Sequence, residues 1–182
     1  MMKHLRILGW VPVLLLGLVV AATHGPAQAA EEVAVDLELV LAADVSGSMD
    51  DQELALQREG YLKALTNPRV IKAIRSGPHR RIAIAFVEWA GPHWQTLVAD
   101  WTMVYDAASA RAFADKIAES PVGNESRTSI STAIDFIAPM FRNNGFKGTR
   151  RVIDISGDGP NNRGRSVIAA RDEALAQGIT IN

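Results

Sequence analysis

Three short apolar runs most constrain this chain: "DLELVLAA" leading into Asp44, "RIAIAFVEW" ending at Trp89 and "RVIDIS" ending at Ser156. Near-continuous Val, Ile, Leu and Ala over strand length is the pattern of strands buried on both faces, as in a mostly parallel sheet. Helical patterns separate the runs. Asp50 and Glu53 form a helix start, followed by Leu54, Tyr61, Leu62 and Leu65 at helical spacing. Asp106 is placed to cap a second helix carrying Ala110, Phe113, Ala114 and Ile117. Ile130, Ala133, Ile134, Ile137 and Phe141 mark a third, which Pro139 should kink or shorten. Val167, Ala170 and Ala174 mark the last, before "ITIN" begins another strand. Gly91-Pro92 breaks the second apolar run, and Trp94 to Val104 resumes as its hairpin partner. Val33 to Ala43 reads as one central strand, with Asp36 and Glu38 on the face opposite Val33, Val35, Leu37 and Leu39. The order predicts an α/β fold: a three-layer α/β/α arrangement around an open, mostly parallel sheet with one antiparallel edge strand.

The 182 residues leave room for one domain beside a targeting segment. Lys3 and Arg6 precede the uncharged apolar run Ile7 to Ala22, and Ala27-Gln28-Ala29 supplies small residues for cleavage. Residues 1–29 therefore read as a secretory signal peptide, and 30–182 as the domain. The apolar run falls short of the roughly 20 residues of a spanning helix, so an uncleaved membrane anchor is the lesser reading, and no membrane span is expected after cleavage. Without residues 1–29 the chain has 17 basic and 20 acidic residues, a net −3 that gives no support to a nucleic-acid partner. The chain has no cysteine, hence no disulfide framework and no lipoprotein anchor. Export points to the bacterial periplasm or the exterior.

In an open sheet of this kind, ligands bind beyond the carboxyl ends of the strands. Three polar loops should meet there: "DVSGSMD" after the first run, "SRTS" before the third helix and "SGDGPNN" after the third run. They supply Asp44, Ser46, Ser48, Thr128 and Asp158, all oxygen donors, which suit a hard cation such as magnesium, calcium or manganese. Two carboxylates roughly neutralise a divalent ion, and three hydroxyls are weak donors. Such an ion keeps an appetite for one more anionic oxygen. Gly47 is expected to let the first loop turn while leaving room for the ion. Glu88, Trp89, His93 and Trp94 on the hairpin, with Asn161 and Asn162 in the third loop, are candidates for a ligand-binding rim. Core packing is the competing reading for the tryptophans. Taken singly, Ser46, Ser48, Thr128 and Asp158 are also ordinary turn and cap residues; the metal reading rests on the set. His79, Arg80 and Arg81 read as a solvated strand entry.

"DVSGSM", "TSISTAI" and "SGDG", in this order over nearly the whole domain, resemble the von Willebrand factor A domain with its metal-ion-dependent adhesion site. "SGDGPNN" and "FVEWAG" are further similar to a branch of secreted bacterial A-domain proteins of unknown function. The resemblance implies that Ser46, Ser48 and Thr128 touch the ion directly, that Asp44 and Asp158 hold it mainly through waters, and that a partner's Glu or Asp takes the open position. Two residues depart from the family pattern: Arg127, where small residues are common, and Asp154, in a strand usually apolar there. The family fold continues with a strand and a helix beyond "ITIN", so the resemblance implies a domain incomplete at its C-terminus. The expected function is an exported, divalent-metal-dependent protein-binding module of adhesion or scaffold type, with Mg2+ the first choice and Mn2+ or Ca2+ the others. The alternatives are a metal-dependent, phosphoesterase-like hydrolase and a structural envelope domain. For hydrolysis the loops offer no His or Lys as a base, only Arg127, Arg163 and Arg165 as cations, and no catalytic residue is assigned.

Overall fold

The computed structural model describes residues 31–182; the signal peptide expected over 1–29 lies outside the described residues. The apolar runs become β2 (Glu38–Asp44), β3 (Ile82–Trp89) and β6 (Arg151–Ser156), joined by β4 (Gln95–Val104) and β7 (Ile179–Ile181). Their order in the sheet is β4-β3-β2-β6-β7. Every pairing is parallel except the hairpin of β3 with β4. All eight residues of β3 are buried, which is why that run shows no polar alternation.

Alternate side chains of the strands enter two separate cores. On one face Leu41, Ile84 and Phe86 pack with Leu65 of α1 (Asp51–Leu65) and with Phe113 and Ile117 of α3 (Ala107–Glu119). In the chain α1 is followed by a short α2 (Pro68–Ile74). On the other face Val40, Ala42, Val87 and Trp89 pack with Ile134 and Ile137 of α4 (Ile130–Ile137) and with Ala170 and Ala174 of α5 (Val167–Ala176). The three-layer expectation holds. Pro139 acts as expected: α4 stops at Ile137 and the chain continues as a 3-10 turn, Ala138–Phe141. No helix among the described residues is long and apolar enough to cross a membrane.

The first strand departs from expectation. Val33 to Ala43 divides into β1 (Val33–Val35) and β2, with β1 pairing in parallel with β5 (Phe146–Gly148) in a separate two-stranded sheet. Asp36 makes the break: its carboxylate accepts the amides of His79 and Arg81 at 3.0 and 3.3 Å. Glu38 is not solvent-facing either; it is 2% exposed and accepts from Asn144 Nδ2 and the Gly148 amide, each at 2.6 Å. A Cβ at Gly148 would stand 2.8 Å from the Arg150 carbonyl and 2.9 Å from the Glu38 carboxylate, so only glycine closes this contact without a shift. Helix α2 is the other unexpected element. Its start was legible, since Asn67 caps it through Oδ1 to the Arg69 amide and Pro68 holds the first helical position.

Both predicted caps form. Asp50 Oδ1 accepts from the amides of Gln52 and Glu53, while Glu53 Oε2 accepts the Asp50 amide in return. At α3, Asp106 Oδ1 accepts the amide and the hydroxyl of Ser109. The Ser109 amide first, and then its hydroxyl, hold the Asp106 carboxyl below its ordinary value of 3.8. A depressed acid contributes stability that is present above its unfolded value and is lost as the pH falls through its folded one. Urea unfolding of Asp106→Ala should therefore show a deficit at neutral pH that shrinks once the pH drops below 3.8. A deficit independent of pH would remove the charge from the cap's role.

Candidate metal centre

Parallel pairing of β2 with β3 and β6 brings the carboxyl ends of all three strands to one edge of the sheet. The first loop leaves β2 at Asp44, whose following residue Val45 still donates to the Trp89 carbonyl at 2.9 Å. The second loop lies alongside: an isolated parallel bridge pairs Ser46 with Glu125. Gly47 donates to the Glu125 carbonyl at 2.7 Å and Glu125 donates to the Val45 carbonyl at 3.1 Å. The third loop closes on the second, since the Thr128 carbonyl accepts from Asn162 and Arg163 and the Thr128 amide donates to Asn162 Oδ1 at 3.1 Å. Asn161 Oδ1 accepts the Ser131 amide at 3.2 Å.

These ties bring four of the predicted donors, Asp44, Ser46, Ser48 and Asp158, together. Ser46 Oγ lies 3.1 Å from Ser48 Oγ, which donates to Asp158 Oδ1 at 3.0 Å. Asp44 is fully buried; its Oδ1 accepts the Ser46 amide at 2.8 Å, and its Oδ2 has no hydrogen-bond partner. Burial pushes the Asp44 carboxyl up from 3.8, hydrogen bonds from Ser46 pull it back, and the charge of Asp158 raises it again. A bare carboxylate oxygen away from water is costly unless something positive meets it. Gly157 leaves space beside it, for a Cβ there would stand 3.1 Å from Asp44 Oδ2. Thr128 is buried next to the strip that pairs with the first loop. The all-oxygen donor set and the orphaned Asp44 oxygen fit a hard divalent cation.

Several expectations need correcting. Glu88 is not on the rim: it is 3% exposed, paired with Arg58 of α1, and accepts the Gly123 amide at 3.2 Å. Trp89 is wholly buried in the core and donates from Nε1 to the Ala42 carbonyl at 3.1 Å. Trp94 is half-buried against Val45, Leu54 and Ala90, leaving His93 as the exposed member of that group. Asn161 and Asn162 spend their side-chain oxygens on the amides of Ser131, in the first turn of α4, and of Thr128, which makes them ties of the third loop, although Asn162 stays exposed. Gly47 has no left-handed backbone, and a Cβ there would meet the Glu125 carbonyl at an ordinary 3.5 Å; its amide, shared by any residue but proline, makes the contact that matters. Arg127 instead takes the left-handed conformation, φ 75°, directly before Thr128. Of the three loop cations, Arg165 is engaged by Asp135 and Glu173.

Sequence reasoning missed Gln57, whose Nε2 donates to the Asp44 carbonyl at 2.8 Å from the second turn of α1. It also missed Arg58, which donates to the Ile117 and Ser120 carbonyls at the end of α3 as well as to Glu88. Their partners lie 13 to 62 residues away, so no local pattern announced them.

Strand order, layers and loops together define a von Willebrand A-type fold. The zinc-bearing structure of proximal thread matrix protein 1 (PTMP1) from the mussel byssus superposes with a TM-score of 0.64 at 17% identity, over 84% of this chain and 38% of that one. An aerotolerance-related membrane protein from Bacteroides fragilis NCTC 9343 gives 0.54 at 24% identity, over 80% and 65%. The conserved hypothetical protein BatB from Bacteroides thetaiotaomicron gives 0.53 at 21%, over 80% and 64%. The chain thus spans less than two thirds of each of these proteins, and at these identities the likeness is one of fold. No curated protein matches the sequence. Residues 34–182 match the family described as "Protein of unknown function (DUF1194)", and the chain belongs to that family.

Proposed function

We propose that this chain is an exported, divalent-metal-dependent protein-binding module. Asp44, Ser46, Ser48, Thr128 and Asp158 hold one cation, Mg2+ before Mn2+ or Ca2+, and the cation takes an Asp or Glu side chain of another protein. Residues 1–29 direct export to the periplasm or beyond and are removed there. The observation that carries the reading is the buried, unpartnered Asp44 Oδ2 beside the linked oxygens of Ser46, Ser48 and Asp158. The solved PTMP1 structure has a zinc-occupied MIDAS motif, which supports a divalent ion at this edge of the same fold. When bound, the cation supplies a Lewis-acidic contact for an anionic oxygen. The chain's own residues set its charge: two carboxylates against a divalent ion leave the incoming carboxylate as the preferred further ligand.

The test is a column of immobilised Gly-Gly-Glu-Gly-Gly peptide beside its Gln counterpart. The protein should be retarded on the Glu column in millimolar Mg2+, released by EDTA, and not retarded as Asp158→Ala. Equal elution from both columns in Mg2+ would contradict capture of an acidic side chain.

A further inference from the structure

From Gly60 to Val87 the chain carries six basic residues, Lys63, Arg69, Lys72, Arg75, Arg80 and Arg81, and no acidic one. The rest holds 13 basic and 20 acidic residues, so a chain of net charge −1 concentrates its positive charge in one block. The fold places this block away from the metal loops. Helix α1 starts beside them and runs to the other end of the sheet, where α2 and the turn into β3 follow. Lys63 pairs with Glu59 at 2.6 Å, and Arg81 Nε donates to the Ala34 carbonyl at 2.9 Å. Arg69, Lys72, Arg75 and Arg80 are exposed and form no ion pair among the described residues.

Three of them converge. Lys72, Arg75 and Arg80 line a cavity of about 560 Å3 together with Thr66, Ile71 and Ala107. Two carboxylates stand near it, Asp36, which accepts the His79 and Arg81 amides, and Asp106, which accepts the amide and hydroxyl of Ser109 and feels the charge of Arg75, but neither forms an ion pair with the three cations. Thr66 Oγ1 already donates to the Leu62 carbonyl at 2.8 Å, and Ser76 Oγ, also in the lining, donates to the Ala73 carbonyl at 2.6 Å, which leaves the cations as the side-chain donors. Arg80 is held in a left-handed conformation, φ 56°. Helix α2 has no fully buried residue, and Ile71 and Ile74 pack part-buried against the core.

We propose that this cavity binds a phosphate-bearing anion, at the pole of the domain opposite the metal loops. Two guanidinium forks and an ammonium match the several oxygens of a phosphate group, and Arg in particular can bond two of them at once. The phosphate comes either from an anionic lipid headgroup or from a soluble phosphate compound. A headgroup would turn the metal loops away from the membrane and toward a partner.

The test uses the full chain in EDTA, so that no divalent ion can mediate binding, with inorganic pyrophosphate titrated by calorimetry. Saturable binding is expected, weakened at least tenfold in Lys72→Gln/Arg75→Gln/Arg80→Gln and unchanged in Asp44→Ala. Should the triple variant melt early, Arg75→Gln alone is expected to weaken binding several-fold. Sedimentation with phosphatidylcholine vesicles containing one quarter phosphatidylglycerol, above the level on pure phosphatidylcholine and displaced by pyrophosphate, assigns the site to headgroups. Pyrophosphate binding without that excess assigns it to a soluble ligand. No binding to either probe, or equal binding by the substituted protein, overturns the proposal.

Discussion

Replacing Glu88 with alanine is expected to cost the fold about 3–5 kcal/mol, the loss typical when one partner of a buried ion pair is removed. The Arg58 side chain is 10% exposed and that of Glu88 3%, so neither regains water when its partner goes. Arg58 would keep its bonds to the Ile117 and Ser120 carbonyls but carry an uncompensated charge. The Gly123 amide would lose its acceptor. That amide lies two residues before Glu125, whose backbone clasps the first metal loop, so the damage reaches the site as well. Urea unfolding measures the loss, and the double substitution Arg58→Met/Glu88→Leu should recover most of it by removing both charges together. A loss below about 1 kcal/mol for Glu88→Ala would mean that water reaches the pair.

Saturating Mg2+ is expected to stabilise the protein by about 2.7 kcal/mol at a hundred times its dissociation constant, the linkage for one site present only in the folded state. The physical source is Asp44. Its carboxylate is fully buried and only one oxygen is bonded, so in the absence of a cation the ionised group is held at a cost. A cation beside Asp158 and the two serines relieves that cost and the repulsion between the two acids. Asp44→Asn keeps the shape and an acceptor for the Ser46 amide while removing the charge. In EDTA at neutral pH this variant should therefore be at least as stable as the wild type, and Mg2+ should add nothing to it.

The elements that follow local rules were legible in the sequence. The near-continuous apolar stretch of β3, the caps at Asp50 and Asp106 and the end of α4 before Pro139 all depend on residues within a few positions of one another. Convergence of the three loops was legible too, because parallel strands put their carboxyl ends on one edge whatever the details. Long-range polar contacts were not. Glu38 and Glu88 look like surface acids in their own runs, yet Glu38 is satisfied by groups 106 and 110 residues away and Glu88 by Arg58, 30 residues away. Val33 to Ala43 alternates like one strand, and only the distant amides of His79 and Arg81 show why it breaks at Asp36. Trp89 was ambiguous because a strand end belongs both to the core and to the rim; its indole bond to the Ala42 carbonyl places it in the core.

The most direct measurement is a pair of thermal melts, wild type and Asp44→Asn, each in EDTA and in millimolar Mg2+, followed by tryptophan fluorescence. A metal centre at the three loops predicts a crossing: the wild type rises with Mg2+, the variant does not, and in EDTA the variant melts no lower than the wild type. Equal Mg2+ responses in the two proteins, or none in either with Mg2+, Mn2+ or Ca2+, would contradict a cation held by Asp44, Ser46, Ser48, Thr128 and Asp158.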